Sequence, residues 1–318
     1  MDLELIKRNT EEIVTEEDLE SLIKNKSNPT AYAGYEPSGK IHLGHLITIN
    51  KLLDLQKAGF EITVLLADLH AYLNDKGTME EIKEIAEYNK RCFIALGLDE
   101  AKTNFVFGST FQLEPEYMLN VLKLSQLTTL NRAKRSMDEV GRNAENPKVS
   151  QMVYPLMQAV DIAMLNVDVA VGGIDQRKIH MLAREGLTTL GFKSPICIHT
   201  PILNGLDCEK MSSSKDNYIS VDDTKKQISK KVNRAFCEIG NIENNPVLDI
   251  VKYHIMPRYE RIVISRPEKF GGNLEYDSYE ELKAAFISGD LHPMDLKMGV
   301  ASYLDEILEP VRNALSSK

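Results

Sequence analysis

Residues 34–45, GYEPSGKIHLGH, carry two histidines three positions apart and a lysine behind a glycine, side chains that can meet phosphate. Two chemistries compete for them. Gly34, Gly39 and Lys40 reproduce the Gly-x4-Gly-Lys of a phosphate-binding loop, in which a Ser or Thr after the lysine ligates Mg2+. Position 41 is Ile, and the helical pattern starts only at the second histidine, later than that loop requires. The apolar stretch ITVLLAD, ending at Asp68, is too common in α/β chains to restore the reading. HLGH (42–45) offers other physics. A helix N-terminus presents free N–H groups and a positive dipole end to phosphate, and Gly44 lets a flat base lie against the backbone. His42 and His45 can donate to an α-phosphate as charge builds in a pentacoordinate transition state.

Alone, HLGH is better read as two histidines that merely cap or pack. It is joined by KMSSSK (210–215), in a loop where a doubly wound fold brings chain to its ligand crevice. There Lys210 supplies charge for a leaving pyrophosphate, and Ser212, Ser213 and Ser214 supply short donors. In YPLMQAVDIAML, Tyr154, Gln158 and Asp161 fall at i, i+4 and i+7, one helix face. Polar groups on an inward face need partners.

These residues must be held by a framework, and its pattern is readable. An acidic helical arm (1–26) precedes a strand and turn. Apolar spacing predicts a helix over 42–59 closing on Gly59, a buried strand over 60–73, a helix over 78–98 opened by Thr78, and a strand over 103–109. A helical insertion over about 113–147 interrupts the series. A helix (154–165), a strand (167–173), a helix (175–187) and a strand (195–203) then complete a second βα half. The fold class is α/β, a Rossmann-like doubly wound parallel sheet. A mostly helical C-terminal domain follows, with boundaries expected at 1–222 and 223–318. No internal repeats or low-complexity stretches occur.

The 318 residues, 43% hydrophobic and 27% charged, suit a globular chain with a full core. The charged N-terminus predicts no secretory signal and a cytoplasmic location. Four scattered cysteines (Cys92, Cys197, Cys208, Cys237) predict neither zinc site nor disulfide framework. The net charge of −9 opposes a nucleic-acid partner only weakly, since NRAKRS, DQRKIH and TKKQISKKVNR concentrate basic side chains.

From AYAGYEPSGKIHLGH through LLADLHAYLN, ENPKV, YPLMQAVDI, DVAVGGIDQRKIHMLARE and KMSSSK to RPEKFGG and LHPMDLK, the chain resembles the archaeal and eukaryotic type of tyrosyl-tRNA synthetase, class I. The resemblance implies ATP as substrate with Mg2+, L-tyrosine, tyrosine tRNA and a homodimer with the insertion at its interface. It implies that His42, His45 and Lys210 are catalytic. Tyr154, Gln158 and Gln176 would hold the α-amino end of tyrosine, and Asp161 and Tyr32 its phenol, with Gly34 and Glu36 in the same pocket. Gly44, Gly172, Gly173, Asp175, Met211, Ser212, Ser213 and Ser214 would join the histidines around ATP. Arg135, Arg177 and Lys178 would meet the acceptor stem, and Phe270, His292 and Asp295 the anticodon. Asp68 and His70 are placed near the crevice without an assigned role. A tryptophanyl relative remains the neighbouring alternative, although its loop commonly reads KMSAS, and a catalytically idle RNA-binding relative is the other.

Overall fold

The computed structural model describes residues 1–137, 148–209, 211 and 217–316. Its elements in chain order are α1 (Leu3–Lys7), β1 (Glu12–Val14), α2 (Glu16–Asn25), β2 (Thr30–Tyr35), α3 (Leu43–Lys57), β3 (Glu61–Leu66), α4 (Asp68–Leu73), α5 (Met79–Ala95), β4 (Thr103–Phe107), α6 (Pro115–Leu127), α7 (Leu130–Met137), α8 (Val149–Met164), β5 (Val169–Gly173), α9 (Arg177–Thr189) and β6 (Ile196–Thr200). Then come α10 (Lys225–Arg234), α11 (Pro246–Ile250), β7 (Ile262–Ile264), β8 (Leu274–Tyr276), α12 (Tyr279–Ser288) and α13 (Pro293–Ser316). Two compact units emerge. One comprises residues 1–39, 51–90 and 97–201, and the other residues 40–50, 91–96 and 202–318.

The first unit holds a six-stranded sheet ordered β1-β6-β5-β2-β3-β4. Five strands are parallel, and β1 joins β6 antiparallel. Among the five parallel strands, chain order runs outward in both directions from the β2–β5 pair, so the switch point of the doubly wound sheet lies there. On one face Tyr32, Leu65 and Ala170 pack against Val121, Leu124, Leu156, Val160, Leu182 and Leu187. Local chemistry sets the helix ends. Thr78 Oγ1 accepts from Glu81 N while Glu81 Oε2 accepts from Thr78 N, a capping box that opens α5. Gly59, at φ 103°, closes α3.

Three expectations change. The strand expected over 60–73 ends at Leu66. That residue pairs with Tyr35 and Phe107, the last residues of both neighbouring strands. Beyond it the ladder has no partners, and the chain satisfies its backbone by coiling into α4. The acidic arm is interrupted by β1, three residues that cover the edge of β6. In the second unit β7 and β8 form an antiparallel hairpin among the helices, each strand too short to leave a periodic signal. The described part of the insertion is two helices, broken at Thr128-Thr129. No helix among the described residues is long and apolar enough to cross a membrane.

The β2–β5 pair is locked by one carboxylate. Asp168 Oδ2 accepts from Lys26 Nζ at 2.7 Å, Thr30 N at 2.8 Å and Thr30 Oγ1, while Oδ1 meets Lys193. Burial pushes its pKa up, but the bonds from Lys193, Lys26 and Thr30 outweigh that and hold it at about 2. A depressed acid stabilises the fold above its ordinary pKa and loses that contribution as pH falls through the folded value. Asp168→Asn should cost about 1–2 kcal/mol at pH 7, discounted because both lysines are half-exposed. Urea titrations at pH 7 and pH 3 should show the difference between variant and wild type shrinking at the lower pH.

Candidate active site

At the switch point a cavity of about 180 Å³ opens beside the carboxyl ends of β2 and β3. It is lined by Tyr32, Gly34, Glu36, Leu65, Ala67, His70, Tyr154, Gln158, Asp161 and Gln176. Strand alternation puts Tyr32, Gly34 and Glu36 on one side of the chain. The Tyr32 ring extends forward over Gly34, where a Cβ would sit 2.7 Å from its hydroxyl. Glycine is therefore what lets the tyrosine reach the cavity. From α8, Tyr154, Gln158 and Asp161 all reach the wall, as their spacing predicts. Gln158 Nε2 donates to Gln176 Oε1 at 3.2 Å, joining α8 to the turn after β5.

Asp161 has no exposure to water. Its Oδ1 accepts from Gln112 Nε2 at 2.7 Å and from Tyr117 OH at 2.8 Å. Its Oδ2 has no hydrogen-bond partner, and neither does His70 Nε2 at 3.6 Å. Burial raises the Asp161 pKa to about 7 against the pull of the Gln112 and Tyr117 bonds. The amide nitrogen of Gln112 also lies 3.3 Å from His70 Nδ1. An amide N–H only donates, so Nδ1 accepts and the His70 proton sits on Nε2, on the side of Asp161. Burial lowers the His70 pKa to about 4, which keeps the ring neutral. The cavity thus holds a buried acceptor and a buried donor without partners.

The HLGH segment belongs to the second unit. Gly44 N donates to His42 Nδ1 at 3.1 Å, and His42 N donates to His45 Nδ1 at 3.2 Å. Both histidines therefore cap the start of α3 and still keep an Nε2–H each. Their ring centroids lie 3.9 Å apart. Burial, with His45 nearby, lowers His42 to about 2, and burial lowers His45 to about 4. They are neutral donors at pH 7. A Cβ on Gly44 would meet His42 at 2.9 Å and Met211 Sδ at 3.3 Å. Met211 Sδ lies 3.2 Å from Gly44 N, so the loop after the sheet lies on the helix start within this unit. Lys40 forms an ion pair with Asp222 at 2.8 Å, and Ile41 is buried. The phosphate-binding-loop reading fails on both counts.

The chain matches the family described as class I tRNA synthetases (W and Y) over residues 24–309. It is 71% identical to the tyrosine–tRNA ligase of Methanococcoides burtonii across 98% of this chain and 99% of that one. The crystal structure of tyrosyl-tRNA synthetase complexed with L-tyrosine from Archaeoglobus fulgidus superposes with a TM-score of 0.97 at 63% identity, covering 99% and 98% of the two chains. The chain belongs to the class I tyrosyl-tRNA synthetases. Tryptophanyl-tRNA synthetase of Plasmodium falciparum shares the fold, with a TM-score of 0.74 at 21% identity over 96% of this chain and 81% of that one.

The other residues that the resemblance to this synthetase family singled out are scattered. Gly172 and Gly173 end β5 where the chain turns back. A Cβ on Gly173 would lie 2.6 Å from Asp175 Oδ1, and one on Gly172 would lie 3.1 Å from Gln176 and His180. Arg135 and Lys178 are exposed. Arg177 is exposed too, with its Nε held by Glu12 at 2.7 Å. In the second unit Phe270 is 59% exposed on a short 3-10 turn, and His292 Nδ1 accepts from Met294 N at the start of α13. Arg266 joins the neighbourhood of these residues: its Nε donates to Gly272 O at 2.8 Å, and its Nη1 lies 3.8 Å from Asp295. Lys210, Ser212, Ser213 and Ser214 lie outside the described residues, as does the part of the insertion from 138 to 147. Among the described residues no group of three His, Cys, Asp or Glu side chains is placed to hold a metal ion.

Gln112 and Tyr117 escaped the sequence reading. Tyr117 had a signal, since Tyr117, Val121 and Leu124 fall at i, i+4 and i+7 on the buried face of α6. Gln112 sits in the irregular stretch between β4 and α6, where spacing says nothing. Its position depends on Asp68, which has no exposure to water and accepts from Leu69 N at 3.0 Å and Ser109 N at 2.8 Å. Asp68 therefore fixes a backbone turn. The tautomers are checkable: long-range 15N NMR at pH 6 should show His42, His45 and His70 neutral and protonated at Nε2. Imidazolium shifts at that pH would contradict the assignment.

Proposed function

We propose that the chain is a tyrosine–tRNA ligase that activates L-tyrosine with ATP to tyrosyl-adenylate and pyrophosphate, then transfers tyrosine to the 3′-terminal adenosine of tyrosine tRNA. The observation that carries the choice of amino acid is the half-bonded Asp161. A phenol hydroxyl both donates and accepts. It donates to Asp161 Oδ2 and accepts from the Tyr32 hydroxyl across the cavity. A phenyl ring does neither, and an indole N–H donates only, which leaves Tyr32 unanswered. The opposite end, Glu36, Tyr154, Gln158 and Gln176, suits the α-ammonium group.

The reaction is in-line attack by the tyrosine carboxylate on the α-phosphorus, with departure of pyrophosphate. No protein nucleophile or strong base is required. Positioning and charge stabilisation supply the rate. Neutral His42 and His45 donate their Nε2–H groups as negative charge accumulates on the phosphate oxygens, and Lys210 follows the leaving pyrophosphate. Gly44, Met211, Ser212, Ser213, Ser214, Gly172 and Asp175 complete the ATP assignment, with Mg2+ arriving on the nucleotide phosphates as part of the substrate.

Residues 1–222 then form the catalytic domain and 223–318 the anticodon-binding domain. Exposed Arg135, Arg177 and Lys178 suit the acceptor-stem phosphates and base edges. Exposed Phe270 suits stacking on an unpaired base, with His292 and Asp295 as hydrogen-bonding partners for its neighbour. Leu113, Leu119, Leu122, Leu127 and Leu130 are exposed along α6 and its flanks. That leucine patch supports a homodimer through the insertion. A cytoplasmic location fits a substrate that is tRNA.

Tyrosine-dependent exchange of pyrophosphate into ATP tests the activity directly. Asp161→Ala combined with Tyr32→Phe should lower kcat/KM for tyrosine at least about 100-fold and shrink its margin over phenylalanine, as loss of two buried hydrogen bonds implies. Unchanged discrimination would overturn the pocket assignment. For the dimer, Leu119→Glu with Leu122→Glu should halve the mass measured by light scattering. A variant that keeps the mass of the wild type would place the interface elsewhere.

A further inference from the structure

Glu36, at the amino end of the cavity, does not stand alone. Its Oε2 accepts from Asn74 Nδ2 at 2.8 Å and from Tyr154 OH at 3.2 Å, and its Oε1 pairs with Lys76 Nζ at 3.0 Å. The Lys76 side chain is only 8% exposed, unlike a surface lysine with a passing partner. Its loop is fixed as well. Lys76 N donates to Ala71 O and Asn74 N to His70 O, both at 3.0 Å, closing the end of α4. Asp75 takes the left-handed conformation at φ 55° and pairs with Lys148, and Ser150 Oγ donates to Leu73 O. The lysine is thus delivered to Glu36 by a turn that α8 holds in place.

We infer that Lys76, together with Asn74, is a positioning residue for tyrosine recognition. It acts through Glu36, holding that carboxylate oriented so that its remaining lone pairs face the substrate ammonium group. The assignment rests on the reading of the cavity as a tyrosine site. Without Lys76, Glu36 keeps two neutral donors and is free to rotate away from the cavity. A charge-assisted bond to the ammonium group would then form at the cost of fixing the carboxylate.

Three ligands separate the possibilities in equilibrium dialysis with the full chain and no ATP: L-tyrosine, tyramine, which lacks the carboxylate, and 3-(4-hydroxyphenyl)propionate, which lacks the amine. Lys76→Met should weaken tyrosine and tyramine about tenfold each and leave the propionate unchanged. In an E36Q background the same change should cost nothing further, because its effect passes through Glu36. Loss confined to tyrosine would show the lysine acting on the carboxylate, and equal loss of all three would show a structural role. Either result, or undiminished binding in the variant, overturns the assignment. A wild-type chain that fails to hold tyrosine overturns the tyrosine reading itself and this inference with it.

Discussion

Asp161 lies wholly out of water, and an ionised carboxylate so placed costs several kcal/mol unless donors replace the water it lost. Much of the first unit is arranged to meet that demand. Tyr117 brings one donor from the buried stripe of α6, and Gln112 brings another from the chain just before it. Gln112 can do so only because Asp68 ties down Ser109, and because Gly108 lacks the Cβ that would meet the glutamine oxygen at 2.3 Å. All of this effort satisfies one oxygen. The other is left unbonded beside the neutral ring of His70, so the unpaid part of the desolvation is available to a ligand that carries a hydroxyl. On the proposed reading, specificity is a buried deficit that the right substrate removes.

The histidines of HLGH follow the same logic with opposite polarity. A charged imidazolium pair with ring centroids 3.9 Å apart would repel, and burial forbids the charge in any case. The helix start uses up both Nδ1 lone pairs, which leaves two neutral N–H groups fixed by the backbone. Capping and phosphate contact are therefore compatible, because each uses a different ring nitrogen. Neutral donors suit an anion that grows during the reaction, since they need no reorganisation as it forms.

What could be read in the chain depended on period. Tyr154, Gln158 and Asp161 interrupt an apolar helix face at helical spacing, and their polarity there has no cheap structural excuse. Ile41 excluded the phosphate-binding loop by its side chain alone, and the Lys40–Asp222 pair gives the lysine other work. The parallel sheet was visible because its strands are apolar and regularly separated. Failures came where length or context decided. LLADLHAYL has the composition of a strand, and only the ends of β2 and β4, remote in sequence, determine that it coils after Leu66. β1, β7 and β8 have three residues each, fewer than a period can reveal. Gln112 occupies irregular chain, where partners alone define function.

The misread segment turns out to govern the cavity from end to end. One six-residue helix, α4, carries His70 in its first turn, toward Asp161, and releases Asn74 and Lys76 from its last turn, toward Glu36. Along the facing helix, Tyr154 and Asp161 are seven residues apart, a rise of about 10.5 Å. Two helices thus set the separation between Asp161, proposed to meet a phenol, and the Glu36 end of the cavity, proposed to meet an ammonium ion. The two helices are tied to each other through Ser150 and the Asp75–Lys148 pair. On the proposed reading, a substrate is then measured for length as well as for its end groups. The strand that ends at Leu66, well short of the expected residue 73, is what makes this arrangement possible, because a longer β3 would have carried His70 onto a sheet edge instead of to the cavity wall.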